Sequence, residues 1–149
     1  MKRMCCIGLV ATALLAADPQ TASLAKELSN KGWVIYSGKT DKGDWDLFLM
    51  RPDGSHRRNV TNTPEFNEMG VRFSPDGKKI LYRRIAAGLK IRHDGWGSMG
   101  HFVIANWDGT GAQAYGEVGD YPWASWSPDG KQISCLTKAG IEIRDLATK

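Results

Sequence analysis

The sequence predicts an all-β chain of repeated antiparallel hairpins, and three observations predict it. Phe73-Ser74-Pro75-Asp76-Gly77-Lys78-Lys79-Ile80 returns 53 residues later as Trp126-Ser127-Pro128-Asp129-Gly130-Lys131-Gln132-Ile133. A second pair brackets the first. Leu47-Phe48-Leu49-Met50 leads to Asp53-Gly54-Ser55, and 55 residues on Phe102-Val103-Ile104-Ala105 leads to Asp108-Gly109-Thr110. Third, 17 glycines and six tryptophans among 149 residues favour short aromatic-rich strands and tight turns over helices. A repeat of about 50 residues points to propeller blades or another repeat array. The length suits one domain.

The N-terminus reads as an address. Lys2 and Arg3 precede an uncharged, mostly apolar run from Met4 to Ala17, shorter than the roughly 20 residues of a membrane span. Ser23-Leu24-Ala25 offers small residues where a signal peptidase cuts. Residues 1–25 are therefore expected to be a signal peptide, and the polar residues 26–32 a linker. Export to the periplasm or beyond follows, with no stable membrane span. Cys5 and Cys6 start the apolar run rather than follow it, so lipidation is not expected. Cys135 alone remains after cleavage, in a strand-like run where it reads as a small buried hydrophobe. The net charge of +4 is spread along the chain without a basic run, which argues against nucleic acid as a partner.

Ser-Pro-Asp-Gly is a turn by its chemistry. Proline presets φ, aspartate tolerates the bridge region, and glycine takes the positive φ that follows. Gly77 and Gly130 are both expected there. Flanking runs read as strands: 33–37, 46–50 and 57–61 in a first blade; 71–73, 80–83, 101–106 and 112–115 in a second; 124–126, 132–137 and 141–145 in a third. The blades span approximately 33–61, 71–115 and 124–149. This is a partial β-propeller of about two and a half four-stranded antiparallel blades. A closed ring needs about sixteen strands. Open ends predict self-association, with Leu47 or Phe48 bare on the first blade and Ile141 or Ile143 on the third.

These paired hairpins resemble the repeats of TolB-type β-propellers, a WD-repeat-like family common in exported bacterial proteins. The run from Asp46 to Ser55 with Val60-Thr61 is close to the family pattern. The second unit departs from it at Trp107, at Tyr115-Gly116 and in the insertion 86–100. The resemblance covers residues 33–149. It implies the fold more than a function, because such propellers serve in translocation complexes, as peptidase accessory domains and in sugar-degrading enzymes.

Blade topology puts the Asp-Gly turns on one face and the longer loops 38–45, 62–70, 86–100 and 116–123 on the other. Trp45, Glu65, Phe66, His93, Asp94, Trp96, Asp120, Tyr121 and Trp123 are the candidate partner-binding residues of that long-loop face. Aromatics interleaved with charge suit a protein or sugar contact for the face as a whole, while any one of these residues taken singly reads more readily as sealing a blade seam or solvating a loop. Asp94, Ser98 and His101 have the residue types of a triad but not the Gly-x-Ser-x-Gly spacing, so no catalytic residue is expected. His93 and His101, with Asp94 or Glu68, lack a third firm ligand, so neither metal nor cofactor is expected. The leading expectation is a non-enzymatic, exported protein-binding module, part of a larger propeller or a truncated reading frame, with an envelope-associated partner. The alternatives are the propeller portion of a prolyl-oligopeptidase-like hydrolase or polysaccharide lyase, and a sugar-binding repeat array.

Overall fold

The computed structural model describes residues 19–89, 100–115, 124–137 and 139–148. One helix, α1 (Pro19–Leu28), precedes ten strands: β1 (Val34–Lys39), β2 (Trp45–Met50), β3 (Arg58–Asn59), β4 (Phe66–Phe73), β5 (Lys79–Ala86), β6 (His101–Asn106), β7 (Gln113–Tyr115), β8 (Ala124–Trp126), β9 (Gln132–Thr137) and β10 (Gly140–Asp145). They form three antiparallel sheets, ordered β1-β2-β3, β4-β5-β6-β7 and β10-β9-β8. The three, four and three strands are grouped as the repeats predicted.

Pro19 opens α1, at the one helical position where a missing N–H costs nothing. The helix carries no buried residue and runs through Lys26, Glu27 and Leu28, so the stretch read as a linker begins with its last turn.

The two Ser-Pro-Asp-Gly turns are built alike. Gly77 N–H donates to the Ser74 carbonyl and Gly130 N–H to the Ser127 carbonyl, both at 2.9 Å. Ser74 Oγ donates to Asp76 and Ser127 Oγ to Asp129, both at 2.6 Å. Gly77 and Gly130 take φ of 70° and 71°, as the turn chemistry requires. The Asp-Gly turns repeat in the same way: Ser55 N–H donates to Asp53 at 2.9 Å and Thr110 N–H to Asp108 at 3.1 Å.

Two elements differ from expectation. β4 is eight residues long rather than three, because the ladder slips between Met69 and Arg72 and resumes. Gly70, at φ 67°, absorbs the extra residue as a bulge, so a glycine that reads as loop lies inside a strand. β3 is only two residues. Beyond it Val60 N–H still reaches the Leu47 carbonyl, but the Thr61 hydroxyl, not a carbonyl, accepts the Leu47 N–H at 3.0 Å.

The middle sheet is covered on both faces. Ile80, Tyr82, Val103 and Ala105 pack with Leu47 of the first sheet, against Ile35, Val60, Val71 and Phe73. Leu81 and Phe102 point the other way and meet Ala124, Ile133 and Cys135 of the third sheet. This alternation is the period-two consequence of strands buried on both sides. Cys135 is buried, as its apolar run implied.

The outer faces differ from each other. Leu47 and Phe48 are both buried, contrary to the expectation that one would be bare. Leu47 faces the middle sheet. Phe48 faces outward, but Tyr36 stacks on it at 5.8 Å between centroids and the Arg57 guanidinium lies 4.2 Å from its ring. Arg57 Nε donates to Tyr36 Oη at 2.7 Å and locks the cover in place. Gly38 makes room for it: a Cβ there would lie 2.9 Å from Phe48 Cδ2. On the third sheet, Ile141 and Ile143 are 77% and 61% exposed, as expected. Their neighbours in register are Leu136 and Ser134, so they share the face opposite Ile133 and Cys135.

Candidate functional site

The long-loop end is organised by the crossing from β3 to β4. Residues 60–65 carry the chain from the first sheet to the second. The Glu65 carbonyl accepts the Ala87 N–H at 2.8 Å, which ties the crossing to the end of β5. The hairpin 40–44 lies at the same end. It is closed by Thr40 N–H to the Asp44 carbonyl at 2.8 Å and by a short Thr40 Oγ1–Asp44 bond.

Three of the sequence-predicted contact residues come together here, in places that partly correct the reading. Trp45 and Phe66 are strand residues rather than loop residues: Trp45 opens β2, Phe66 opens β4, and both are half-buried. Trp45 N–H donates to Asn67 Oδ1 at 3.0 Å, joining the two sheets. The Arg84 guanidinium lies 4.9 Å from the Phe66 ring. Glu65 is exposed beside them. His93, Asp94, Trp96, Asp120, Tyr121 and Trp123 lie outside the described residues.

Beneath this end is a polar cluster that the sequence reading missed. Asp46 and Glu68 are 1% and 0% exposed. Asp46 accepts hydrogen bonds from Asn59 Nδ2 at 2.5 Å, Thr61 Oγ1 at 3.2 Å and Thr63 N–H at 3.4 Å. Glu68 Oε1 accepts from Thr63 Oγ1 at 2.5 Å and Arg84 Nε at 3.0 Å. Arg84 Nη2 also donates to Tyr82 Oη at 3.1 Å. Asp46 reads as the polar start of an apolar strand, and Glu68 as a loop charge, so neither carries a sequence signal of burial. The one usable hint is a carboxylate inside the apolar run Trp45–Met50.

Glu68, Arg84 and His101 occupy one row across β4, β5 and β6. With strands about 4.8 Å apart, Glu68 and His101 stand about 10 Å apart with a cation between them, which is no geometry for a shared metal. Among the described residues no group of three His, Cys, Asp or Glu side chains is placed to hold a metal ion. No helix among them is long and apolar enough to cross a membrane.

A cleft of about 270 Å³ opens beside Asp46, lined by Lys39, Asp41, Lys42, Phe48, Arg57 and Asn59, among others. Its rim carries both signs of charge. It can pair with charged groups of a partner.

The opposite end holds an aromatic cluster that no local motif announces. Trp33 and Trp107 pack at 5.6 Å between centroids, Arg51 lies 4.0 Å from the Trp33 ring, and Arg58 sits between the two indoles at 5.8 and 5.6 Å. The sequence reading placed Trp33 in a strand and Trp107 as a departure from the repeat. These tryptophans seal the seam between the first two sheets.

No family model matches the chain, and no curated protein does. Solved structures do. The chain is 17% identical to a putative TolB from Agrobacterium tumefaciens, with a TM-score of 0.57 over 76% of this chain and 42% of that one. It is 15% identical to TolB from Acinetobacter baumannii, with a TM-score of 0.56 over 78% of this chain and 28% of that one. The chain thus spans less than half the length of either. The likeness is one of fold: the three antiparallel sheets of this chain take a TolB-like arrangement.

Proposed function

We propose that the chain is an exported, TolB-like partial β-propeller that acts as a non-enzymatic protein-binding module through its long-loop end. The observation that carries this reading is the convergence of Trp45, Glu65 and Phe66 at one end of the first two sheets, beside a cleft rimmed with charge of both signs. Half-buried aromatics next to exposed charge are the composition of a protein contact. The fold of the TolB structures supports the propeller part of the reading. Export rests on the N-terminal sequence and the envelope-associated partner on the family resemblance; both belong to the proposal.

Site-specific photo-crosslinking in the native host tests it. A crosslinker at Glu65 should capture a discrete protein, whereas one at Lys131, on the opposite end, should not. Equal capture at both positions, or at neither, would overturn the reading. N-terminal sequencing of the same material should find a chain beginning near Lys26.

A further inference from the structure

We propose that Asp46 and Glu68 share one proton, carried on Glu68 Oε2, and that this proton is a pH-sensitive latch between the first two sheets. The inference goes beyond the binding reading and is tested without a partner.

The geometry carries it. Both carboxyls are inside the protein, and their donors are unequally divided. Asp46 has three donors, from Asn59, Thr61 and Thr63. Glu68 Oε1 has two, from Thr63 and Arg84. Glu68 Oε2 is wholly buried and, among the described residues, has no donor in reach. Thr63 bonds both carboxyls, which sets the Glu68 side chain beside Asp46, a group that when ionised can only accept. A buried acceptor without a donor, beside another buried carboxyl, is a costly arrangement. A proton on Oε2 resolves it: the O–H donates to the Asp46 carboxylate, and every oxygen of the pair then has a partner.

The charges around the pair require the same proton. From β2 comes Asp46 itself; from β5 come Arg84 and the Tyr82 phenol; from β6 comes His101, beside Arg84 in register. From β1 comes Lys39, which lies exposed on the outer cleft. Among the described residues Arg84 is the one cation bonded to either carboxyl. Two ionised carboxylates would leave a surplus negative charge inside the protein. Burial pushes the Glu68 carboxyl above its ordinary range; Thr63 and Arg84 pull it down, and Asp46 pushes it up.

The latch lies where it can be felt. Thr63 bonds both carboxyls from the middle of the crossing between the two sheets. Loss of the proton puts repulsion at that crossing and loosens the long-loop end.

The sign follows from linkage. A carboxyl with a raised folded-state pKa binds its proton more tightly in the folded chain. Its stabilisation is complete below the ordinary carboxylate value and is lost as pH rises through the raised value. The unfolding constant of the full chain should therefore rise about tenfold per pH unit above about pH 4.5, then level off. Glu68→Gln keeps the acceptors for Thr63 and Arg84 and supplies a permanent donor to Asp46. It should flatten this profile and exceed the wild type in stability at pH 8. Carboxyl-carbon NMR of the wild type gives a second reading: the Glu68 signal should titrate well above the exposed glutamates. Parallel pH profiles for wild type and Glu68→Gln, or an ordinary Glu68 titration, would overturn the latch. If the variant fails to fold, the NMR titration decides alone.

Discussion

The backbone of Gly109 lies against the Val60 carbonyl, so close that a Cβ on Gly109 would stand 2.3 Å from that oxygen. The turn after β6, in the second sheet, is thereby pressed onto the end of the first sheet. Two constraints meet at this glycine: φ is 90°, and the space for a side chain is filled by backbone.

Gly77 supplies the control. Its φ is 70°, but no atom lies within 4 Å of where a Cβ would be. Gly77→Ala should therefore cost only the left-handed strain, about 1 kcal/mol. Gly109→Ala adds a backbone collision and should cost more than about 2 kcal/mol. Denaturant unfolding of the two variants measures the difference. Equal losses would mean that the turn yields without disturbing the seam.

Acid should destabilise the chain through the turn aspartates, with a sign opposite to that of Glu68. The Ser74 hydroxyl and then the Lys78 N–H hold Asp76 below its ordinary value; Ser127 and Lys131 do the same for Asp129. A depressed folded-state pKa gives stability that is present above the unfolded value and lost as pH falls through the folded one. The loss should begin below about pH 4. The double variant Asp76→Asn, Asp129→Asn should lose less stability on acidification over this range. Thermal melts between about pH 2 and pH 5 check it.

Ile141 and Ile143 should drive association. They are the most exposed large apolar side chains in the described strands and sit on β10, an edge strand with an open ladder. Ile143→Lys places a charge on that face and should shift the chain towards monomer. Sedimentation velocity across a concentration series compares the two. A wild-type chain that stays monomeric throughout would show that this face is not adhesive.

Much of the fold was legible because its punctuation is local. Ser74 and Asp76 complete each other's hydrogen bonds within one turn, and so do Ser127 and Asp129, so six residues suffice to identify the hairpin. β6, β8 and β9 begin and end where the alternation of their side chains says. What was not legible depends on distance. Gly70 reads as a loop residue because nothing nearby announces that the ladder resumes at Arg72. Asp46 reads as the polar start of a strand and Glu68 as a loop charge, because what joins them is Thr61 and Thr63, on a crossing that exists only once two sheets have packed. Phe48 reads as bare because its cover comes from Tyr36 on one neighbouring strand and Arg57 just before the other. Trp33 and Trp107 are far apart in sequence, and no periodicity joins them.

The unequal outer faces give the stack of sheets a polarity. One side is finished by Tyr36 and Arg57 over Phe48; the other presents Ile141 and Ile143. Filaments grow when each end of a subunit fits the opposite end of the next, and here one of those ends is already sealed. Two copies meeting through the isoleucines would bury like against like about a two-fold axis, and the covered Phe48 face would offer no second isoleucine patch for a third copy. Growth by this surface would then stop at a pair.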